Sequence, residues 1–241
     1  MPLRKSDIVP IRVYENREGM NMQEKNELST KERLLLAATK MFAIHGYEGA
    51  TTREITAEAH ANLQSIPFYY ESKEKLYQAA VCRISQLVMN DYEHLLKEIE
   101  DARKQNLLDK SMAWNYIVET VGHLSEWVLN EEYKYELLLI NHDLLYPTKG
   151  ICQMLEPLAQ VYYYFAELLM VVTGNTDRFW ANSYSYIVIS GFFTYSNMPV
   201  FLETVLKEDI GDLNVIQRAR AQLKRDMLTS IEAVVKKYLK E

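Results

Sequence analysis

The sequence predicts an all-α protein: a helix-turn-helix head followed by a larger helical body. Three observations carry that prediction. Apolar residues recur at helical spacing almost throughout, and no stretch sustains the alternation of a strand. Only 8 Gly and 6 Pro interrupt the 241 residues. The hydrophobic content of 48% is ample for a core. The breaks between periodic runs divide the chain into about nine or ten helices.

Residues 1–28 lack periodicity and carry mixed charge, as a flexible N-terminal arm does. Arg4, Lys5, Arg12 and Arg17 within it are free to meet a phosphate backbone. Ser29-x-x-Glu32 is a capping box and opens a helix to about His45. Leu35, Ala38, Phe42 and Ala43 form its buried stripe, and Gly46 supplies a left-handed residue to end it. Thr51 caps a second helix that turns Ile55 and Ala59 inward. His60-Ala61 makes a tight turn, and Asn62 caps a third short helix. Ser72 opens a fourth, with Glu74 in its first turn, where the helix dipole favours an acid. Two short capped helices joined by a short turn read as a helix-turn-helix, which places a DNA-binding domain at residues 29–76.

The remainder, residues 77–241, is expected to be a ligand-binding and dimerisation domain. The fourth helix continues through Val81, Ile84, Val88, Tyr92, Leu95 and Ile99 to about Arg103. Helices follow over about 110–129 and 131–145, and Pro147-Thr148-Lys149-Gly150 is a loop. The next helix, Ile151 to Thr173, has Pro157 at its start or at a kink. A helix from Thr176 or Asp177 to about Tyr195 is apolar on two faces and must bury both. Shorter and longer helices cover 200–207 and 213–239.

The run GYEGATTREITAEAHANLQSIPFYYESKEKL resembles the DNA-binding domain of the TetR family of bacterial transcriptional regulators. The matching elements are Gly46-Tyr47, Ala50-Thr51, Ile55, Ala59, Asn62, Tyr69-Tyr70, Ser72-Lys73-Glu74 and Leu76. The resemblance implies a three-helix head, a long linking helix and a body that pairs with a second copy. It also puts Tyr69 and Lys73 at positions that contact the DNA backbone. Three departures stand out: His60 replaces the usual glycine of the turn, Ala61 replaces a valine, and Pro67 lies inside the recognition helix.

Reading DNA requires a helix whose first turn reaches base edges and flanking groups that clamp phosphate. Asn62, Leu63, Gln64 and Ser65 form that first turn. Gln64 suits a bidentate contact to adenine, Ser65 can accept from or donate to any base, and Leu63 suits a thymine methyl. Phe68 lies beyond Pro67 on the same helix. Thr51, Thr52 and Arg53 offer hydroxyls, amides and a guanidinium to phosphate. Tyr70 is expected to pack inside the head, and Lys31 and Lys75 to be solvated.

The net charge of −6 looks wrong for a DNA binder, but the deficit lies in the body. In the head, Lys31, Arg33, Lys40, Arg53, Lys73 and Lys75 balance Glu32, Glu48, Glu54, Glu58, Glu71 and Glu74. Phosphate binding depends on local cations, so a neutral head suffices. Cys82 and Cys152 are too few and too distant for a disulfide framework or zinc site and read as small buried hydrophobes. With no secretory signal and no membrane-length apolar run, the chain reads as cytoplasmic.

The body holds all 3 Trp and most of the 17 Tyr. Buried tyrosines need partners for their hydroxyls, so a pocket of aromatic and polar groups is expected there. Its candidates are Tyr92, Glu119, His123, Trp127, His142 and Tyr162, suited to an apolar or amphipathic small-molecule effector. The reading is a homodimeric repressor that binds palindromic double-stranded operator DNA and is released by that effector. Helices 176–195 and 213–239 would form the dimer interface, with Ile189 and Phe193 in it. A regulator whose body binds a protein partner is the alternative. A helical-bundle enzyme is the remoter one, because no P-loop, GxGxxG, HExxH, CxxC or nucleophile elbow is present. No catalytic residue, metal or cofactor is expected.

Overall fold

The computed structural model describes residues 28–145 and 152–238, without the side chains of Asp91 and residues 152–155. The expectations for the N-terminal arm, the loop at Pro147 and the Cys152 side chain fall outside these residues. Among the described residues there are ten α-helices, one 3-10 turn and no strand. No described helix is long and apolar enough to cross a membrane. Two compact units emerge: the chain up to Val88 with Glu131–Pro157, and Met89–Asn130 with Leu158–Glu241.

The first unit starts with α1 (Thr30–Gly49). Both arms of its capping box form: the Glu32 N–H donates to Ser29 Oγ, and the Ser29 N–H donates to Glu32 Oε2 at 2.8 Å. Leu34, Leu35, Ala38 and Phe42 are buried along its inner face. Gly46 has φ 68° as expected, but ψ is 174°, so the chain kinks there and adds one more turn of helix. A Cβ at Gly46 would lie 2.8 Å from His142 Nε2, so glycine is required for space as well as for conformation. Next come α2 (Thr52–Glu58), α3 (Ser65–Tyr70) and the first half of α4 (Lys73–Lys104).

The unit is completed by α6 (Lys134–Leu145), which follows the 3-10 turn Glu131–Tyr133 and packs along α1. Polar groups buried between α4 and α6 have specific partners. The Tyr77 hydroxyl donates to the Asp143 carboxylate, and Arg83 Nη1 lies 2.6 Å from Glu136 Oε1. The rings of Phe42 and Tyr47 meet Tyr77 edge-on at 4.9 and 5.1 Å.

The second unit contains the rest of α4, α5 (Lys110–Trp127), most of α7 (Cys152–Thr173), α8 (Arg178–Asn197), α9 (Pro199–Leu206) and α10 (Leu213–Tyr238). Asp109 caps α5 and Asp177 caps α8, each by accepting a backbone N–H three residues on. Pro157 lies inside α7, one turn past its start. The α10 stripe Ile216, Leu223 and Ile231 is buried, and the helix packs on α5. Arg220 Nε donates to the Val128 carbonyl at 2.7 Å and fastens α10 to the end of α5.

The two apolar faces of α8 have different fates. Ala181, Val188, Ile189 and Phe192 are buried within the unit, while Phe179, Tyr186 and Ile187 face outward. Ile189, expected at an interface with a second copy, is only 1% exposed, and Phe193 is half-buried. The outward apolar surface continues instead over Val200, Phe201 and Val205 of α9 and Leu213. The α10 stripe is spent on α5. Periodicity identified both faces of α8 but could not say which of them the protomer keeps for itself.

Candidate nucleic-acid interface

Thr51 and Glu54 form a complete capping box at α2: the Glu54 N–H donates to Thr51 Oγ1 at 3.2 Å, and the Thr51 N–H to Glu54 Oε2 at 2.8 Å. The bonds from the Thr51 hydroxyl and amide hold the Glu54 carboxyl below the usual carboxylate range. Thr51 and Arg53 are exposed and Thr52 half-exposed at this helix start. The α2–α3 turn passes through His60 at φ 48°, the left-handed region that favours glycine, the residue His60 replaces. Arg33 secures the turn from α1. Its Nε donates to the Ala59 carbonyl at 3.0 Å and its Nη1 to the Leu28 carbonyl at 2.7 Å. Sequence reasoning counted Arg33 only as a charge; its role shows only once Ala59 is placed beside it.

Asn62 is committed to the turn. Its Oδ1 accepts the Gln64 N–H at 3.1 Å, and its carbonyl accepts the Ser65 N–H at 2.8 Å. The recognition helix α3 therefore starts at Ser65, slightly later than expected, although Gln64 is already in helical conformation. Pro67 sits in the first turn, where backbone donors have no helical partner, so its missing N–H leaves the helix intact. The Phe68 N–H reaches the Gln64 carbonyl at 3.1 Å, and α3 continues to Tyr70.

One face of α3 is anchored: Ile66 and Tyr70 are buried, and the Tyr70 hydroxyl donates to the Lys31 carbonyl at 2.8 Å. This places Tyr70 inside the head, as expected. Lys31, by contrast, is no plain solvated charge, since its ammonium lies 5.9 Å from the Tyr70 ring centre. Leu63, Gln64, Phe68 and Tyr69 face outward, and Ser65 is half-buried. At the start of α4 the Lys73 ammonium stands 4.6 Å from the Tyr47 ring centre, which steadies it close to the head. The candidates for DNA contact thus all lie in the first unit, at the starts of α2 and α4 and along α3.

The candidates for effector binding divide between the units. His142 belongs to the first, against Gly46. Tyr92, Glu119, His123, Trp127 and Tyr162 belong to the second. There Tyr92 is buried with its ring 5.9 Å from that of His123, and His123 Nε2 lies 3.7 Å from Glu119. Trp127 is buried at the end of α5. Burial pushes the Tyr162 hydroxyl up to about 12, a hydrogen bond with Ser190 opposing it in part. An open groove of about 550 Å³ includes Glu119, His123, Glu126 and Lys224 but neither Trp127 nor Tyr162. No cluster of three metal-ligating side chains occurs among the described residues.

The profile of bacterial regulatory proteins, tetR family, matches residues 34–80, which run from α1 through the helix-turn-helix into α4. Over this segment the chain matches the TetR family. A curated relative, the HTH-type transcriptional dual regulator CecR of Shigella flexneri, is 28% identical over 118 residues. That alignment takes in 49% of this chain and 52% of CecR, so the chain spans about half the length of this relative. A TetR-like transcriptional regulator from Rhodococcus sp. RHA1 superposes with a TM-score of 0.58 at 13% identity, over 85% of this chain and 96% of its own. The transcriptional regulator FadR from Bacillus subtilis, solved in complex with stearoyl-CoA, does so with a TM-score of 0.54 at 13% identity, over 83% and 96%. At such identities the likeness is one of fold.

Proposed function

We propose that the chain is a homodimeric, DNA-binding regulator of transcription that represses from a palindromic operator and is released by a small molecule held in its body. The observation that carries this reading is α3. Its Ile66–Tyr70 face is anchored in a TetR-family head while Leu63, Gln64, Phe68 and Tyr69 stand outward. Thr51, Thr52, Arg53 and Lys73 supply hydroxyls and cations for phosphate, and Asn62 and Ser65 shape and extend the reading turn. A second copy is supported by the apolar surface of Phe179, Ile187, Val200 and Phe201, which a lone protomer leaves in water. Two such heads must sit roughly 34–36 Å apart to enter successive major grooves.

The aromatic second unit supports an apolar or amphipathic effector, and the fold it shares with FadR makes long-chain acyl-CoA the first compound to try. An effector acts only through its preference for the state that does not bind DNA, and operator must weaken effector binding by the same factor. The test is selection of bound sequences from random duplex DNA, followed by competition with acyl-CoA thioesters. Enrichment of an inverted repeat is expected; enrichment of nothing, or of a single unrepeated half-site, overturns the reading.

A further inference from the structure

We infer that Phe68 reads the 5-methyl group of a thymine in the operator, beside a base contacted by Gln64. The inference rests on the reading of the chain as a sequence-specific DNA binder. Phe68 is 80% exposed, though it lies between the buried Ile66 and Tyr70. Its ring meets Tyr69 edge-on at 4.8 Å, so it is held in place while its outer face remains in water. Leu63, 44% exposed, adds to the apolar character of this surface.

A phenyl ring offers nothing to a phosphate. Among the base-edge groups of the major groove, the thymine methyl is the apolar one. Gln64 is four residues before Phe68, and the Phe68 N–H bonds the Gln64 carbonyl, so the two side chains share a helix face. Neighbours at this spacing have Cβ atoms about 5–6 Å apart. Successive bases rise 3.4 Å along a strand. The thymine therefore lies one or two steps from the base that Gln64 contacts, and an adenine suits Gln64 best. Pro67 fixes its own φ between them, which limits how far the pair can shift.

The test uses the full chain and the operator obtained by selection, with each thymidine of a half-site replaced in turn by deoxyuridine. This removes the methyl group and leaves every hydrogen-bonding group in place. At one position the wild type should lose about fourfold in affinity per half-site, equivalent to about 0.8 kcal/mol for one buried methyl-sized group. Phe68→Ala should bind the thymidine and deoxyuridine forms equally. Because the ring is exposed, the variant should also melt with the wild type. Indifference of the wild type to every replacement overturns the inference, as does full methyl discrimination by Phe68→Ala. Failure to select any preferred sequence defeats the DNA-reading function itself, a result distinct from either of these.

Discussion

The two units handle charge in opposite ways. In the first, Arg83 and Glu136 are 5% and 0% exposed and pair within the contact between α4 and α6, beside the buried Tyr77–Asp143 bond. In the second, Arg103 and Arg178 converge on Glu167, and Arg103 and Lys104 on Glu100, all at the surface. A buried pair holds one arrangement, because any slip strands a charge away from water. A surface network tolerates slippage, since water replaces each partner. The head is thus held to a single docking of α6, and the α4–α7–α8 surface of the second unit is not similarly constrained.

The largest effect expected from breaking this contrast is at Glu136. Glu136→Ala should cost about 3–5 kcal/mol by leaving the Arg83 charge buried without its carboxylate. The double variant Arg83→Met/Glu136→Leu should regain most of that loss, and chemical denaturation of the three proteins measures it. If the double variant is no better than the single one, the pair contributes through packing and not through charge.

The next comparison is within α8. Ile189→Asp should fail to fold, because the side chain is buried within the protomer. Ile187→Asp, on the outward face, should fold with normal helical content but sediment as a monomer, whereas the proposed homodimer predicts that the wild type should sediment as a dimer. A dimeric Ile187→Asp would remove this face from the interface.

Tyr162 tests the interior of the second unit. Its raised ionisation means that the folded state favours the neutral hydroxyl. That contribution is complete below the ordinary tyrosine range near pH 10 and is lost as pH rises through about 12. Tyr162→Phe should therefore flatten the fall in stability across this window, by on the order of 1–2 kcal/mol. An unchanged alkaline profile would place the hydroxyl in contact with water.

The smallest effect belongs to the surface network. Glu167→Gln should cost less than about 1 kcal/mol and lose even that at high salt. A larger, salt-insensitive cost would make the second unit resemble the first.

Much of this was legible in the sequence. Short-range signals gave the helix starts at Ser29 and Thr51 and narrowed that of α8 to Thr176 or Asp177, of which Asp177 is the cap, because each acts within three or four residues. The fold class and the outward position of Gln64 followed from the same local patterns. What escaped was long-range. Nothing near Arg83 announces Glu136, and nothing near Arg33 announces the Ala59 carbonyl. A two-faced helix such as α8 does not say which face turns inward. The pairing of Gly46 with His142 is illegible for the same reason: glycine showed a need for unusual conformation, but not for space.

The docking of α6 also sets the timing of maturation. On the ribosome Arg83 emerges 53 residues ahead of Glu136. At about 5–20 residues per second, that is a wait of roughly 3–10 seconds. For that interval the nascent head lacks its closing segment, α6. A guanidinium and a tyrosine hydroxyl destined for burial remain hydrated while the second unit's own stretch of α4, and all of α5, are being made. The head is therefore finished only after the insertion Met89–Asn130 has passed.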